Sequence, residues 1–260
     1  MTFSDQIKAA IFSLIFLGIA EAIYFKQQFF WIIILPITLA FLLAFVWILG
    51  PDLIRRKSLK MTKVILPLLL LAGIFFFLIL EPSKLLRQIV IFLGLFSFIL
   101  FFAFYRKIPL ERPKDPKNRS VFNVLIFLLT ITAFLDFWAA YSVYFSFSLP
   151  LWASMLLMAV ISFSLFYYLF WAGGIFVDFL LVFAVLLSLI ILEIFLILSF
   201  WPTDPKTLAI ILILVFYTFS GILILKAKKE LTKKLILEYL ILFILIFALA
   251  VGTMNWQLVF

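Results

Sequence analysis

The stretch VFNVLIFLLTITAFLDFWAAYSVYF, residues 121–145, holds one acidic residue, Asp136, and no basic residue. It is longer than the roughly 20 residues that an α-helix needs to cross a hydrocarbon layer of about 30 Å. Several other apolar runs of similar length lie elsewhere in the 260-residue chain. Apolar and polar residues rarely alternate within these runs, which is atypical of a membrane β-barrel. The pattern therefore predicts an all-α fold, a polytopic bundle of transmembrane helices.

The composition of the whole chain also indicates a membrane protein. Hydrophobic residues make up 68% of the chain and charged residues 13%, whereas soluble domains carry about 25% charged residues. The net charge of +9 does not indicate nucleic acid binding, because the basic residues lie in short connectors between apolar runs. There they set the topology and contact anionic lipid headgroups. We therefore expect the lipid bilayer as the main partner and no nucleic acid.

Nine apolar runs define the predicted spans, which together form a single integral membrane domain over residues 1–260. Their approximate bounds are 8–25, 29–50, 63–80, 88–105, 120–143, 150–171, 175–200, 206–225 and 235–255. The N-terminal segment and the even-numbered connectors hold 17 of the 21 Lys and Arg residues. Because basic loops stay cytoplasmic, we predict a cytoplasmic N-terminus and a multi-pass protein of the plasma (inner) membrane. The sixth connector, within WAGGIFVD (171–178), holds no basic residue, and the count falls to eight spans if it is not a turn.

Three carboxylates are predicted to lie within the membrane: Asp136, Glu193 and Glu21. A charged side chain at the centre of a membrane helix costs roughly 2.5–3.5 kcal/mol, and no Lys or Arg lies deep enough in the predicted spans to pair with these acids. Two alternatives remain open. Either the acids are protonated and hydrogen-bond between helices, or they line a hydrated cavity that binds a proton or a cation.

Further polar residues are candidates to line such a cavity. Asp178, Thr132 and Ser142 lie on the same predicted spans as two of the acids or at their ends. Outside the spans, we predict that Glu81 is either a solvated loop residue or a cap for the following helix. Lys234 and Glu238 have the spacing of an exposed i, i+4 ion pair.

Tryptophans near the predicted span ends mark the headgroup level. Trp138 and Trp152 are two of six Trp residues that lie at span ends or in the outer third of a span. Trp favours this level because one edge of its ring is apolar and the other polar. We therefore predict interfacial positions for both.

Residues suited to enzyme chemistry are scarce. The chain has no Cys and no His, so it offers no thiolate nucleophile or Cys-bound metal and lacks the side chain best suited to proton transfer near neutral pH. The motifs H-E-x-x-H, G-x-S-x-G, G-x-x-x-x-G-K-[ST] and G-x-G-x-x-G are absent from the sequence. We expect no enzymatic activity, no cofactor and no metal site.

Two functional interpretations follow from these features. The first is a small transporter or channel-like protein in which the intramembrane acids respond to a proton or a cation. The second is a non-catalytic membrane subunit or scaffold that packs against a partner membrane protein. The two differ in one structural property, which is whether Asp136, Glu193 and Glu21 converge on one cavity or point apart.

Overall fold

The computed structural model describes residues 15, 18, 61–105, 119–173, 180–227 and 230–252, and this part of the chain contains helices and short connectors. Seven helices follow in chain order: α1 Met61–Leu80, α2 Lys84–Tyr105, α3 Arg119–Ser146, α4 Leu151–Gly173, α5 Leu180–Leu198, α6 Pro205–Ala227 and α7 Lys233–Gly252. The all-α prediction is confirmed. Each helix overlaps one of the last seven predicted spans, whereas spans 8–25 and 29–50 lie outside the described residues except for Ile15 and Gly18.

Six of the helices, α2 to α7, are long and apolar enough to cross a membrane. The remaining helix, α1, contains a shorter apolar stretch, Ile65–Leu80. A helix can cross a bilayer because it satisfies its backbone hydrogen bonds internally, where no water is available. The chain is therefore a helical membrane protein.

Side-chain caps fix the N-terminal ends of α6 and α7. The Asp204 carboxylate accepts hydrogen bonds from the Thr207 backbone N–H (3.3 Å) and from Thr207 Oγ1 (2.6 Å). Pro205 follows in the first turn, where a missing N–H costs nothing. At α7, Thr232 Oγ1 accepts from the Leu235 backbone N–H at 3.3 Å. These caps satisfy donors that a helix N-terminus leaves open.

The corner between α1 and α2 is built around Glu81. This side chain is fully buried, so the expectation of a solvated loop residue is wrong. Its Oε1 accepts from the Ser83 backbone N–H (3.2 Å), and Ser83 Oγ accepts from the Leu86 backbone N–H (3.4 Å). The Arg87 guanidinium donates to the Glu81 backbone carbonyl. Ser83 is therefore the cap of α2, and Glu81 holds Ser83 in place.

Contacts within the chain define two compact units, and the single membrane domain over residues 1–260 stays a prediction. The first comprises Met1–Glu111 and Lys117–Leu128, and the second comprises Arg112–Pro116 and Leu129–Phe260. In the described part of the first unit, α1 packs against α2. In the second unit, α4 packs against α5, α6 packs against α7, and α6 also contacts α4 and α5.

Aromatic side chains join α3 to the other helices of the second unit. The Phe137 ring meets Phe216 of α6 edge-on, with ring centroids 6.1 Å apart, and Phe166 of α4 lies 4.8 Å from Phe216. The Tyr141 ring lies 4.5 Å from Phe195 of α5, and its hydroxyl donates to the Phe195 backbone carbonyl at 3.3 Å. These contacts place α3 among α4, α5 and α6.

Candidate functional site

The middle of α3 is buried on every side. All nine residues from 135 to 143 are buried, although consecutive residues of a helix point about 100° apart and so cover its whole circumference. A helix at the edge of a bundle would expose one face to lipid. This segment of α3 is therefore enclosed by protein.

Asp136 lies within this enclosed segment. Its side chain is 3% exposed, and Oδ2 makes no hydrogen bond to any residue that the structure describes. Asp136 precedes the end of α3 at Ser146 by ten residues, which is about 15 Å along the axis. A buried polar group without a partner costs about 1–3 kcal/mol. The packing of α3 thus keeps an acid with one unused oxygen deep in the protein.

Small side chains surround Asp136 on its own helix. Ala133 and Ala140, one turn away on either side, are fully buried, and Ala139 is 5% exposed. Residues three and four positions apart share a helix face, so these alanines and Thr132, which is also fully buried, lie on the face of Asp136. Of the predicted lining residues, Thr132 is the one that the structure brings beside the acid.

Ser142 lies on a different face of α3. It is six residues after Asp136, which corresponds to a rotation of about 120° and a rise of about 9 Å. Its side chain is 4% exposed, and its hydroxyl makes no hydrogen bond within the described ranges. Ser142 therefore lies between Asp136 and the α3–α4 turn but does not contact the same face.

Ser154, in the first turns of α4, is a polar residue that sequence reasoning missed. Its side chain is fully buried, and its hydroxyl is also without a hydrogen bond in the described part of the chain. By contrast, Ser162 and Ser199 donate to the preceding turn of their own helices, to Met158 and Phe195 carbonyls at 2.8 Å. The available signal was weak, because a Ser near a span end is common. Ser142 and Ser154 both lie near the turn that joins α3 to α4.

Glu193 is exposed on α5 and does not join Asp136. It is two positions from both Ile191 and Phe195, which are buried. Residues two positions apart in an α-helix point about 200° apart. Since Phe195 contacts Tyr141 of α3, Glu193 points away from α3. Glu193 therefore points away from the helix that carries Asp136. Glu21 and Asp178 lie outside the described residues.

Trp138 is 2% exposed, so its ring packs against protein and does not face lipid. It belongs to the enclosed segment of α3, where protein side chains surround the indole ring. Trp152, at the start of α4, is 70% exposed, as expected of an interfacial ring. Exposure reports packing and not depth, so the interfacial level of both rings stays a prediction.

The described residues contain no group of three or more His, Cys, Asp or Glu side chains that could hold a metal ion. Asp136 is therefore not part of such a group in this part of the chain. What the site can do chemically follows from one acid, small apolar neighbours and nearby hydroxyls. A single carboxyl can bind and release a proton, or exchange one hydrogen-bond partner for another.

The chain belongs to the DUF5656 family, described as proteins of unknown function, whose model matches residues 7–253. This range includes most of both units and every candidate site residue named above. Comparison with curated proteins and with solved structures gave no match. The function must therefore be argued from the site.

Proposed function

We propose that this protein is a small transporter or channel-like protein in which Asp136 binds and releases a proton. The observation that supports it is the buried acid itself, which is 3% exposed and has an Oδ2 atom without a partner in the described residues. Burying a polar group without a partner costs free energy, and an apolar side chain at the same position would avoid that cost. Ionisable residues inside membranes commonly mark proton and ion paths.

A proton fits this site better than a metal cation does. Hard cations such as Ca²⁺ take 6–8 oxygen ligands. The helix face of Asp136 offers Thr132 and three alanines, and the described part of the chain has no acidic cluster. One carboxyl is sufficient for a proton.

Two hydroxyls provide a polar connection toward the α3–α4 turn. Ser142 and Ser154 are buried near that turn with no hydrogen bond to any described residue. A hydroxyl can donate and accept at the same time, so these two groups can form part of a proton path, which still has about 9 Å to cover along α3 between Ser142 and Asp136. They place polar groups along part of the roughly 15 Å between Asp136 and the end of α3.

Proton flux in proteoliposomes tests this proposal. A membrane potential set by K⁺ and valinomycin drives protons into the liposomes, and a pH-sensitive dye trapped inside reports their entry. We expect Asp136→Asn, which keeps the shape but removes the titrating group, to abolish the protein-dependent flux. Glu193→Gln is the matched control, because this acid points away from α3, and its flux should stay at the wild-type level. Wild-type flux in Asp136→Asn rejects the proposal.

The proposed topology has nine spans and a cytoplasmic N-terminus in the plasma membrane. It is supported by the 17 basic residues in the N-terminal segment and even-numbered connectors. Since the chain has no native Cys, single cysteines report each side cleanly. A membrane-impermeant maleimide should label Ser148→Cys in intact cells and Glu230→Cys only after permeabilisation. The reverse labelling pattern rejects the orientation.

The second candidate is a non-catalytic membrane subunit, and α7 favours it. In the described chain, α7 packs on α6 and fully buries a single residue, Ala250, so its outer face, which exposes Leu237, Ile241 and Leu245, is available to lipid or to a partner. In that case Asp136→Asn changes assembly and not flux, and a stoichiometric membrane protein copurifies with the tagged chain. Neither candidate is an enzyme, because the sequence lacks His, Cys and catalytic motifs.

A further inference from the structure

Glu193 is an acid on the outer face of a membrane helix. The buried face of α5 consists of Ala184, Leu187, Ser188, Ile191, Phe195 and Leu198. The opposite face exposes Val182, Leu186 and Leu189 at 48–55%, together with Glu193. An apolar outer face is what lipid contact requires, and the carboxyl is the one group on it that lipid tails cannot satisfy.

Glu193 lies too far inside α5 for its short side chain to reach the headgroup region easily. It precedes the end of α5 at Leu198 by five residues, which is about 8 Å along the axis. Helical side chains lean toward the N-terminus, so the carboxyl leans away from its nearer membrane surface and toward the middle of the span. In the part of the chain that the structure describes, Glu193 makes no ion pair or hydrogen bond.

The residues around Glu193 have the spacing of a helix-pairing seam. Val182, Leu186, Leu189, Glu193 and Leu196 follow one another at intervals of four, three, four and three residues. Leu196 is half-buried and the others are exposed. Alternating intervals of four and three residues are the a/d pattern of a left-handed helix pair. This seam, residues 182–196 of α5, can therefore pack along its length against a second helix.

A second copy of the same chain fits this seam in chemistry and in geometry. Copies inserted with the same topology pair about an axis normal to the membrane, and an isologous interface brings each residue to its own counterpart. Glu193 then meets Glu193 at equal depth. A protonated carboxyl donates one hydrogen bond and accepts another, so two of them satisfy each other in a setting where tails offer neither.

We propose that two copies of this protein associate in the membrane through the α5 seam, with their Glu193 carboxyls hydrogen-bonded to each other. The proposal is independent of proton transport, because Asp136 belongs to α3, from which Glu193 points away. It assigns to Glu193 a role between chains, whereas Asp136 acts within one chain.

Disulfide cross-linking in native membranes tests the geometry. Because the chain has no Cys, Leu189→Cys places one thiol on the seam, next to Glu193. We expect oxidation to give a covalent dimer of this variant. Leu245→Cys is the matched control, since Leu245 is 56% exposed on α7 but off the seam, and it should stay monomeric. No dimer with Leu189→Cys, or equal dimer with Leu245→Cys, overturns the proposal.

Dimerisation of fluorescently labelled protein in liposomes, counted by single-molecule photobleaching over a range of protein-to-lipid ratios, tests the chemistry. Glu193→Leu should weaken the dimerisation constant about 5- to 30-fold, as expected for losing one interhelical polar contact in a bilayer. Glu193→Gln should stay close to wild type, because an amide also donates and accepts. Since Leu is fully compatible with a membrane helix, misfolding does not mimic the loss. A wild-type protein that is monomeric at every ratio, or a Glu193→Leu protein that dimerises as tightly as wild type, contradicts the assignment.

Discussion

The change in the free energy of unfolding caused by Asp136→Ala distinguishes a functional acid from a structural one by its sign. If Asp136 held helices together, its removal would lower the free energy of unfolding. The structure predicts the opposite, because Oδ2 has no hydrogen-bond partner among the described residues and the side chain is 3% exposed. An acid in this state weakens the fold in which it lies.

The size of the effect follows from two opposing contributions. Removing a buried polar group that lacks a partner relieves about 1–3 kcal/mol. The lost carboxyl leaves a void near the size of a methyl group, which costs about 1 kcal/mol. The neighbouring alanines, Ala133 and Ala140, are too small to fill it. We therefore expect Asp136→Ala to raise the free energy of unfolding by about 1 kcal/mol.

Unfolding by SDS from mild detergent micelles at neutral pH, followed by circular dichroism, measures this difference. Tyr141→Phe is the control of opposite sign, because it removes the hydrogen bond from the Tyr141 hydroxyl to the Phe195 carbonyl (3.3 Å). That variant should lose about 0.6 kcal/mol, the average for a hydrogen bond within a membrane bundle. A loss of 1 kcal/mol or more in Asp136→Ala would refute the reasoning and make Asp136 a structural residue.

Two further substitutions test packing and backbone geometry in the second unit. A Cβ at Gly221 would lie 2.5 Å from the Tyr239 ring, so Gly221→Leu should separate α6 from α7 and lower the free energy of unfolding by about 1–3 kcal/mol in the same SDS assay. The control is Gly252→Leu, which has no atom within 4 Å of its Cβ and should leave stability unchanged. Equal effects of the two variants would contradict the packing of α6 on α7. Ser148 in the α3–α4 turn has a φ of 48°, a left-handed backbone conformation that β-branched residues avoid. Ser148→Val should therefore lower the melting temperature, whereas Ser148→Gly should not. An unchanged melting temperature in Ser148→Val would argue against the left-handed turn.

Span positions could be predicted from the sequence because the bilayer constrains them strongly. A membrane helix needs about 20 apolar residues and breaks where turn formers and charges collect. The run from 120 to 143 therefore coincides closely with α3, which continues to Ser146. The extra residues, Tyr144 and Phe145, are apolar and continue the same helix beyond the estimated bilayer edge.

The direction of each helix face could not be predicted in the same way. In a soluble helix the polar face identifies the outside, but lipid-facing and core-facing residues of a membrane helix are both apolar. Trp138 and Trp152 show the consequence, because the first is 2% and the second 70% exposed although both lie near predicted span ends. Only packing against neighbouring helices distinguishes the two positions.

The same ambiguity explains why Asp136 and Glu193 look alike in the sequence. Each is a single acid in an apolar run, and each has Leu on its N-terminal side and an apolar residue on its C-terminal side. In the structure, Asp136 is enclosed by protein and Glu193 lies on the outside of α5. A buried acid without a partner changes the properties of its own chain, whereas an exposed acid in lipid favours association with another chain.

This separation gives the two acids reciprocal phenotypes. Asp136→Asn should abolish proton flux and leave the dimerisation constant unchanged, since the residue is remote from the α5 seam. Glu193→Leu should weaken dimerisation and leave the flux per monomer unchanged, since the side chain points away from α3. If both variants lost both properties, the acids would act on one shared element, and the opposite orientation of residues 193 and 195 on α5 would no longer explain their roles.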